Sequence, residues 1–176
     1  MGATPQTLDL RRHRDREGAG RYGPWARRAV IGLVAAVSVL GLLNVFGQRP
    51  VTTVAGSPAA TLKLYAPEHL RSGLLWSARF HIYAHRDLKD ATLVLDPGWL
   101  EGMSMNTLEP SPLGEASRNG RLAFELGHIA KGRSYILFVQ FQANATNVAW
   151  RRPQDVELDD GPQRLLVLHH HVTIYP

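Results

Sequence analysis

The sequence predicts an all-β domain, an antiparallel β-sandwich of about seven strands, preceded by one transmembrane helix. Three observations carry this expectation. Apolar and polar residues alternate with a period of two through much of residues 61–176. Turn-forming residues separate those runs at short intervals. Ahead of them, residues 29–46 run without a single charge. The 176 residues suffice for one domain with an appendage. The chain contains no cysteine, which excludes disulfides, thiolate nucleophiles and cysteine-ligated metal centres.

The N-terminal elements explain the charge. The net charge is +5, and residues 1–28 supply most of it: seven arginines stand against Asp9, Asp15 and Glu17. Gly18, Gly20, Gly23 and Pro24 interrupt the segment, so residues 1–28 read as a basic, disordered cytoplasmic tail. Residues 49–176 carry thirteen basic and twelve acidic side chains. A basic tail without a reading element gives no reason to expect a nucleic-acid partner. Residues 29–46 read as the transmembrane helix and make the lipid bilayer a partner. Eighteen residues at ~1.5 Å each reach about 27 Å, close to the ~30 Å hydrocarbon layer. Arg27 and Arg28 abut the run, and Tyr22 and Trp25 precede them. The positive-inside rule then puts the N-terminus in the cytoplasm and the C-terminal domain outside the cell membrane. A cleaved signal is the alternative, and the length of the apolar run favours a retained anchor. Gly32 and Ala36 form a small-x-x-x-small pair suited to close helix packing, and Asn44 could bond a partner helix.

Residues 47–60, rich in Gly, Pro, Thr, Ser and Ala, read as a flexible stalk. The extracytoplasmic domain then spans residues 61–176. Leu62 and Leu64 open a first strand that stops near Pro67. Trp76, Ala78, Phe80, Ile82 and Ala84 alternate with Ser77, Arg79, His81, Tyr83 and His85. Leu93 and Leu95 lie in a short strand ending at Asp96-Pro97-Gly98. Leu122, Phe124 and Leu126 alternate with Arg121, Ala123 and Glu125. Tyr135, Leu137, Val139, Phe141 and Ala143 form another inward set, and Ile136 and Phe138 opposite them suggest a strand partly covered on both sides. A last strand runs from about Arg164 to Tyr175. A small barrel is the alternative closure, and strand count and spacing favour the sandwich.

Residues 120–143 resemble the late part of bacterial immunoglobulin-like repeat domains. A strand ends in Leu126-Gly127, a small loop carries Ala130-Lys131-Gly132, and a long alternating strand follows from Ser134 to Ala143. The early part is similar too, with Gly73 before Leu74–Ala84 and an LVLD strand at Leu93–Asp96. The resemblance covers residues 61–176 and implies an immunoglobulin-like sandwich. It also implies an adhesive, spacing or complex-forming role. The Cys…Trp…Cys spacing of antibody domains is absent.

The search for chemistry is mostly negative. His169 and His171 would share one strand face and are the candidate metal ligands, with His170 turned toward the core. His81 and His85 lie on an outward face, but no spaced ligand motif joins them. Asp155–Gly161 resembles half a calcium loop, yet Asp160 stands where glycine is required and Leu166 where the closing Glu belongs. A solvated turn whose acids balance Arg151 and Arg152 is the simpler reading. Gly102-Met103-Ser104-Met105-Asn106 lacks the final glycine of a nucleophile elbow. Asn144-Ala145-Thr146 fits a glycosylation triplet. No triad, cofactor loop or phosphate loop survives, so an enzyme is not expected and no cofactor is called for. Trp76 suits the core. For Trp99 and Trp150 burial at the sandwich end is the favoured reading, and if exposed on loops they are the candidate interaction residues. The expected function is a single-pass, membrane-anchored extracytoplasmic interaction module, an accessory subunit with a partner in a membrane or envelope complex. An anchored or secreted domain binding carbohydrate or metal is the alternative.

Overall fold

A computed structural model describes residues 23–43 and 48–176. The tail expected before residue 23, and the expected helix residues Asn44, Val45 and Phe46, lie outside the described residues. The chain divides into two compact units, residues 1–46 and 47–176.

Among the described residues of the first unit a helix, α1, runs from Gly23 to Leu42. It begins six residues before the expected start at Ala29. Proline is compatible with a helix's first turn, and nothing in Trp25–Arg28 breaks one, so the helix continues back through the arginine pair to Pro24. The Arg28 guanidinium lies 5.6 Å from the Trp25 ring centre. The Ser38 hydroxyl donates to the Val34 carbonyl at 2.8 Å, which satisfies it within the helix. All side chains of α1 are exposed, and the helix is long and apolar enough to cross a membrane.

The second unit is built of strands. They are β1 (Pro50–Gly56), β2 (Ala60–Pro67), β3 (His69–Arg71), β4 (Leu75–Ala84) and β5 (Leu88–Leu95). After a single 3-10 turn at Pro97–Trp99 come β6 (Met103–Glu109), β7 (Gly114–Arg118), β8 (Arg121–Ile129) and β9 (Ser134–Ala143). The chain closes with β10 (Ala149–Pro153), β11 (Val156–Asp160), β12 (Gln163–Leu168) and β13 (His171–Tyr175). One five-stranded sheet has the order β1-β2-β4-β9-β6, a second β12-β11-β5-β8-β7, and a three-stranded sheet β10-β13-β3.

The long alternating strands sit as their periodicity requires. Trp76, Ala78, Phe80, Ile82 and Ala84 all face the core, as do Leu137, Val139, Phe141 and Ala143. Four expectations are corrected. The strands number thirteen in three sheets, not about seven, and β13 pairs with β3 in parallel. Residues 50–56 are not a stalk: β1 pairs with β2 along its whole length, from Pro50 opposite Pro67 to Gly56 opposite Thr61. An edge strand needs backbone partners more than an apolar face, and Val51, Thr52, Thr53 and Val54 are β-branched. The expected last strand is split into β12 and β13, in different sheets. The Asp155 carboxylate breaks it by accepting from the His170 backbone N–H at 3.3 Å and binding His169 Nδ1 at 2.7 Å. The acidic run is a strand, β11, because Val156 and Leu158 alternate inward and are fully buried.

One core takes side chains from all three sheets. At its centre Trp99 lies 5.8 Å from Trp76, 5.4 Å from Phe80, 5.5 Å from Phe141 and 6.2 Å from His170, ring centre to ring centre. Its indole N–H donates to the Asp155 carbonyl at 3.3 Å. Gly98 lets this turn dock: a Cβ there would collide with the Pro153 carbonyl oxygen. Gly98→Ala should therefore destabilise the unit by about 1–3 kcal/mol, the usual cost of overpacking. A urea unfolding midpoint indistinguishable from that of the unaltered chain would contradict this packing.

Candidate functional site

The outward face of the β1-β2-β4-β9-β6 sheet is the candidate binding surface. Alternation turns Lys63 and Tyr65 of β2 outward, with Arg79, His81 and Tyr83 of β4 and Ile136, Phe138 and Gln140 of β9. The register brings them together: Tyr65 stands opposite Arg79, Arg79 opposite Phe138, Lys63 opposite His81 and His81 opposite Ile136. The Arg79 guanidinium lies between two rings, 4.9 Å from the Tyr65 centroid and 6.0 Å from that of Phe138. A cation held over aromatic faces is weakly hydrated and positioned, yet keeps its charge for a partner.

Two shallow depressions indent this face. One, of about 250 Å³, is lined by Thr52, Lys63, Tyr65, Arg79, His81 and Ile136. The other, of about 240 Å³, is lined by Thr61, Lys63, His81 and Tyr83. Ile136 and Phe138, on the face expected to be partly covered, are 40% and 49% exposed. The sole carboxylate among the outward strand residues is Glu109, at the end of β6 opposite Phe138. The face is therefore cationic and aromatic.

The opposite five-stranded sheet uses its charges differently. Arg121 Nη1 lies 2.6 Å from Glu157 Oε1 and 3.5 Å from Asp96 Oδ1, and Arg164 reaches Glu157 at 3.2 Å. Burial alone would raise the Glu157 pKa, but the bonds and charges of Arg121 and Arg164 outweigh it and hold the carboxyl below its ordinary range. Asp159 goes the other way, raised by burial and then by Glu157, with Arg118 at 3.6 Å opposing. These groups largely neutralise one another. The acids of β11 thus find Arg118, Arg121 and Arg164, with Arg86 at 3.9 Å from Asp160, and not the expected Arg151 and Arg152.

The sequence-derived candidates separate. Trp99 is fully buried and offers no surface, whereas Trp150 is 77% exposed. His169 is tied to Asp155 on a bend outside any strand, and His171 begins β13, so the two do not form the strand pair expected of metal ligands. Among the described residues no group of three or more His, Asp or Glu side chains could hold a metal ion. His85 Nε2 is 2.8 Å from the Thr61 hydroxyl. Ser104 lies on β6, without the strand–turn–helix setting of a nucleophile elbow.

No protein-family model and no curated protein matches the sequence. Among solved structures, one described as AvmM, which catalyzes macrocyclization in alchivemycin A biosynthesis, is 10% identical, with a TM-score of 0.41 over 74% of this chain and 92% of that one. A GH20 exo β-N-acetylglucosaminidase from Vibrio harveyi, in complex with N-acetylglucosamine, is 12% identical, with a TM-score of 0.24 over 73% of this chain and 18% of that one. At these scores neither likeness bears on fold or activity.

His170 gives the molecule a pH response. It is 4% exposed, with both ring nitrogens buried. Burial pushes its pKa below the ordinary value, and this outweighs the Glu68 carboxylate and Pro67 carbonyl, which favour the charged ring. The unfolded chain therefore binds the proton more readily. The stability held above about pH 6.5 should be lost as pH falls through the depressed folded value. Urea midpoints measured from about pH 7.5 down to about pH 5 should decline, and the decline should flatten in His170→Met. An equal slope in both proteins would contradict this assignment.

Proposed function

We propose that the chain is a single-pass, membrane-anchored extracytoplasmic interaction module, with an immunoglobulin-like sandwich as its outer domain and no catalytic centre of its own. Its partner is the acidic surface of another protein of a membrane or envelope complex, received on the outward face of the β1-β2-β4-β9-β6 sheet. The single observation that carries this reading is the composition of that face. Lys63, Arg79 and His81 are interleaved with Tyr65, Tyr83, Ile136 and Phe138, against the one carboxylate of Glu109. Exposed aromatics and arginine are the residues that dominate binding hot spots, and single-sign charge selects a partner of the other sign. The apolar length of α1, with Arg27 and Arg28 near its N-terminal end, supports an anchor whose following unit lies outside the cytoplasm.

A second reading, an anchored domain binding carbohydrate, draws on the same face. Tyr65 and Tyr83 flank shallow depressions, and Gln140 and Gln142 supply amides alongside. The two readings part on charge, since a neutral sugar is indifferent to the sign at positions 63 and 79.

Photo-crosslinking decides between them. A benzophenone amino acid at Ile136 of the full chain, irradiated in its native membranes, should give a discrete protein adduct. Lys63→Glu with Arg79→Glu should reduce that adduct about tenfold or more, the scale of losing a close charge pair at an interface. Both side chains project to solvent, so the fold should be little affected. Absence of an adduct, or one insensitive to the charge reversal, contradicts the acidic-partner reading.

A further inference from the structure

We propose that the end of the β unit at which the chain arrives through Pro50 is a lipid-contacting surface, with Trp150, Val148 and Leu74 entering the interfacial layer of an anionic phospholipid bilayer. This rests on the anchored reading of α1 and concerns a different surface from the sheet face above.

Register and loop bonds gather four segments at that end. Pro50 pairs with Pro67, and β4 starts at Leu75. The Gly73 N–H donates to the Ala143 carbonyl at 3.0 Å, and the Ala143 N–H returns to the Leu74 carbonyl at 3.1 Å. The Asn144 N–H donates to the Gly102 carbonyl at 3.0 Å, and the Asn147 side-chain amide donates to the same carbonyl at 2.8 Å. The Ser72 N–H donates to the Tyr175 carbonyl at 2.8 Å, and the Arg151 N–H to the Thr173 hydroxyl at 3.3 Å. The β3–β4 turn, the turn through Leu100–Gly102, the β9–β10 loop and the start of β10 are thus fixed beside one another.

These ordered loops expose apolar side chains that a water-facing tip would not need. Leu74, Leu75, Leu100 and Val148 are 46%, 51%, 38% and 59% exposed, and Trp150 is the most exposed large apolar residue of the unit but for Leu113. At the other end of β4 the loops around Ala84 contrast with this. Residues 57–59, 85–87 and 130–133 expose no large apolar side chain and present His85, Arg86, Asp87, Lys131 and Arg133. The arginines suit headgroups: Arg71 and Arg151 are exposed beside the apolar tips, while Arg152 is bound to Glu101 and Glu68 is the other carboxylate nearby. Tryptophan beside arginine at an apolar patch is the composition that interfacial anchoring uses.

Chain length commits the occupant to lipid. Seven peptide steps join Leu43 to Pro50, a reach of at most about 25 Å for the fully extended chain. On the anchored reading that tether keeps the bilayer within reach of the Pro50 end, which makes lipid the occupant that the chain itself supplies.

The chain has no native cysteine, so single labels report without background. The full chain carrying Val148→Cys, Lys131→Cys or Val37→Cys is spin-labelled in nanodiscs of phosphatidylcholine with phosphatidylglycerol. Collisions with oxygen and with a water-soluble nickel chelate are then compared. The expected result is a severalfold higher oxygen-to-nickel ratio at 148 than at 131, with 37 deeper still. Arg71→Glu with Arg151→Glu should lower the ratio at 148. If 37 is in lipid and 148 matches 131, the lipid surface is overturned and the anchor stands. If 148 is shielded from both reagents, protein covers it and the proposal is overturned. If 37 itself is aqueous, the anchored reading fails and the proposal with it.

Discussion

The β unit depends on the burial of Trp99. This residue follows β5, a strand of the second five-stranded sheet, and its ring lies against Trp76, Phe80 and Phe141 of the first. On another side it meets His170, at the edge of the three-stranded sheet. One indole, carried on the turn after β5 of the second sheet, therefore meets rings of the first sheet and the residue that precedes β13 of the third. Its docking requires Gly98 against the Pro153 carbonyl, and the Gln154 side chain reinforces it by donating to the Gly98 carbonyl at 3.2 Å. A full aromatic burial is among the larger single contributions a core receives, and three sheets share this one. The two proposed surfaces inherit their rigidity from it. β4 and β9 carry Trp76, Phe80 and Phe141 inward and Arg79 and Phe138 outward, and the turn after Trp99 shapes the Pro50 end.

What the sequence discloses and what it hides follow from interaction range. The alternation of β4 and β9 is a local signal, so their inward faces and the burial of Trp76 were legible residue by residue. So was the apolar run within α1. The hidden parts depend on distant partners. β1 is a strand because β2 lies beside it, and nothing in Pro50–Gly56 names that partner. The break at His169-His170 comes from Asp155, fourteen and fifteen residues away. The β11 acids appear solvated until Arg118, Arg121 and Arg164 arrive from β7, β8 and β12.

The candidate site was half legible for the same reason. Arg79, His81 and Tyr83 were visible as an outward set on one strand. Their union with Tyr65 on one side and Phe138 on the other needed the sheet order, and reading Ile136 and Phe138 as partly covered gave no sign that they join this face. The sequence favours burial for Trp150 as for Trp99, and only the structure exposes it and, through the loop bonds, places it beside Leu74 and Leu100. The division of labour between the two five-stranded sheets also emerges only in three dimensions. One neutralises its arginines with its own carboxylates, and the other exposes Lys63, Arg79 and His81 with Glu109 as the one carboxylate on its outward face.

Hydrogen–deuterium exchange of the full chain, compared with Trp99→Ala, tests the organising role of that indole most directly. If Trp99 holds the three sheets together, the variant should lose protection in β4, β9, β11 and β13 together. Loss confined to the Pro97–Gly102 turn, with the three sheets as protected as before, would contradict the account.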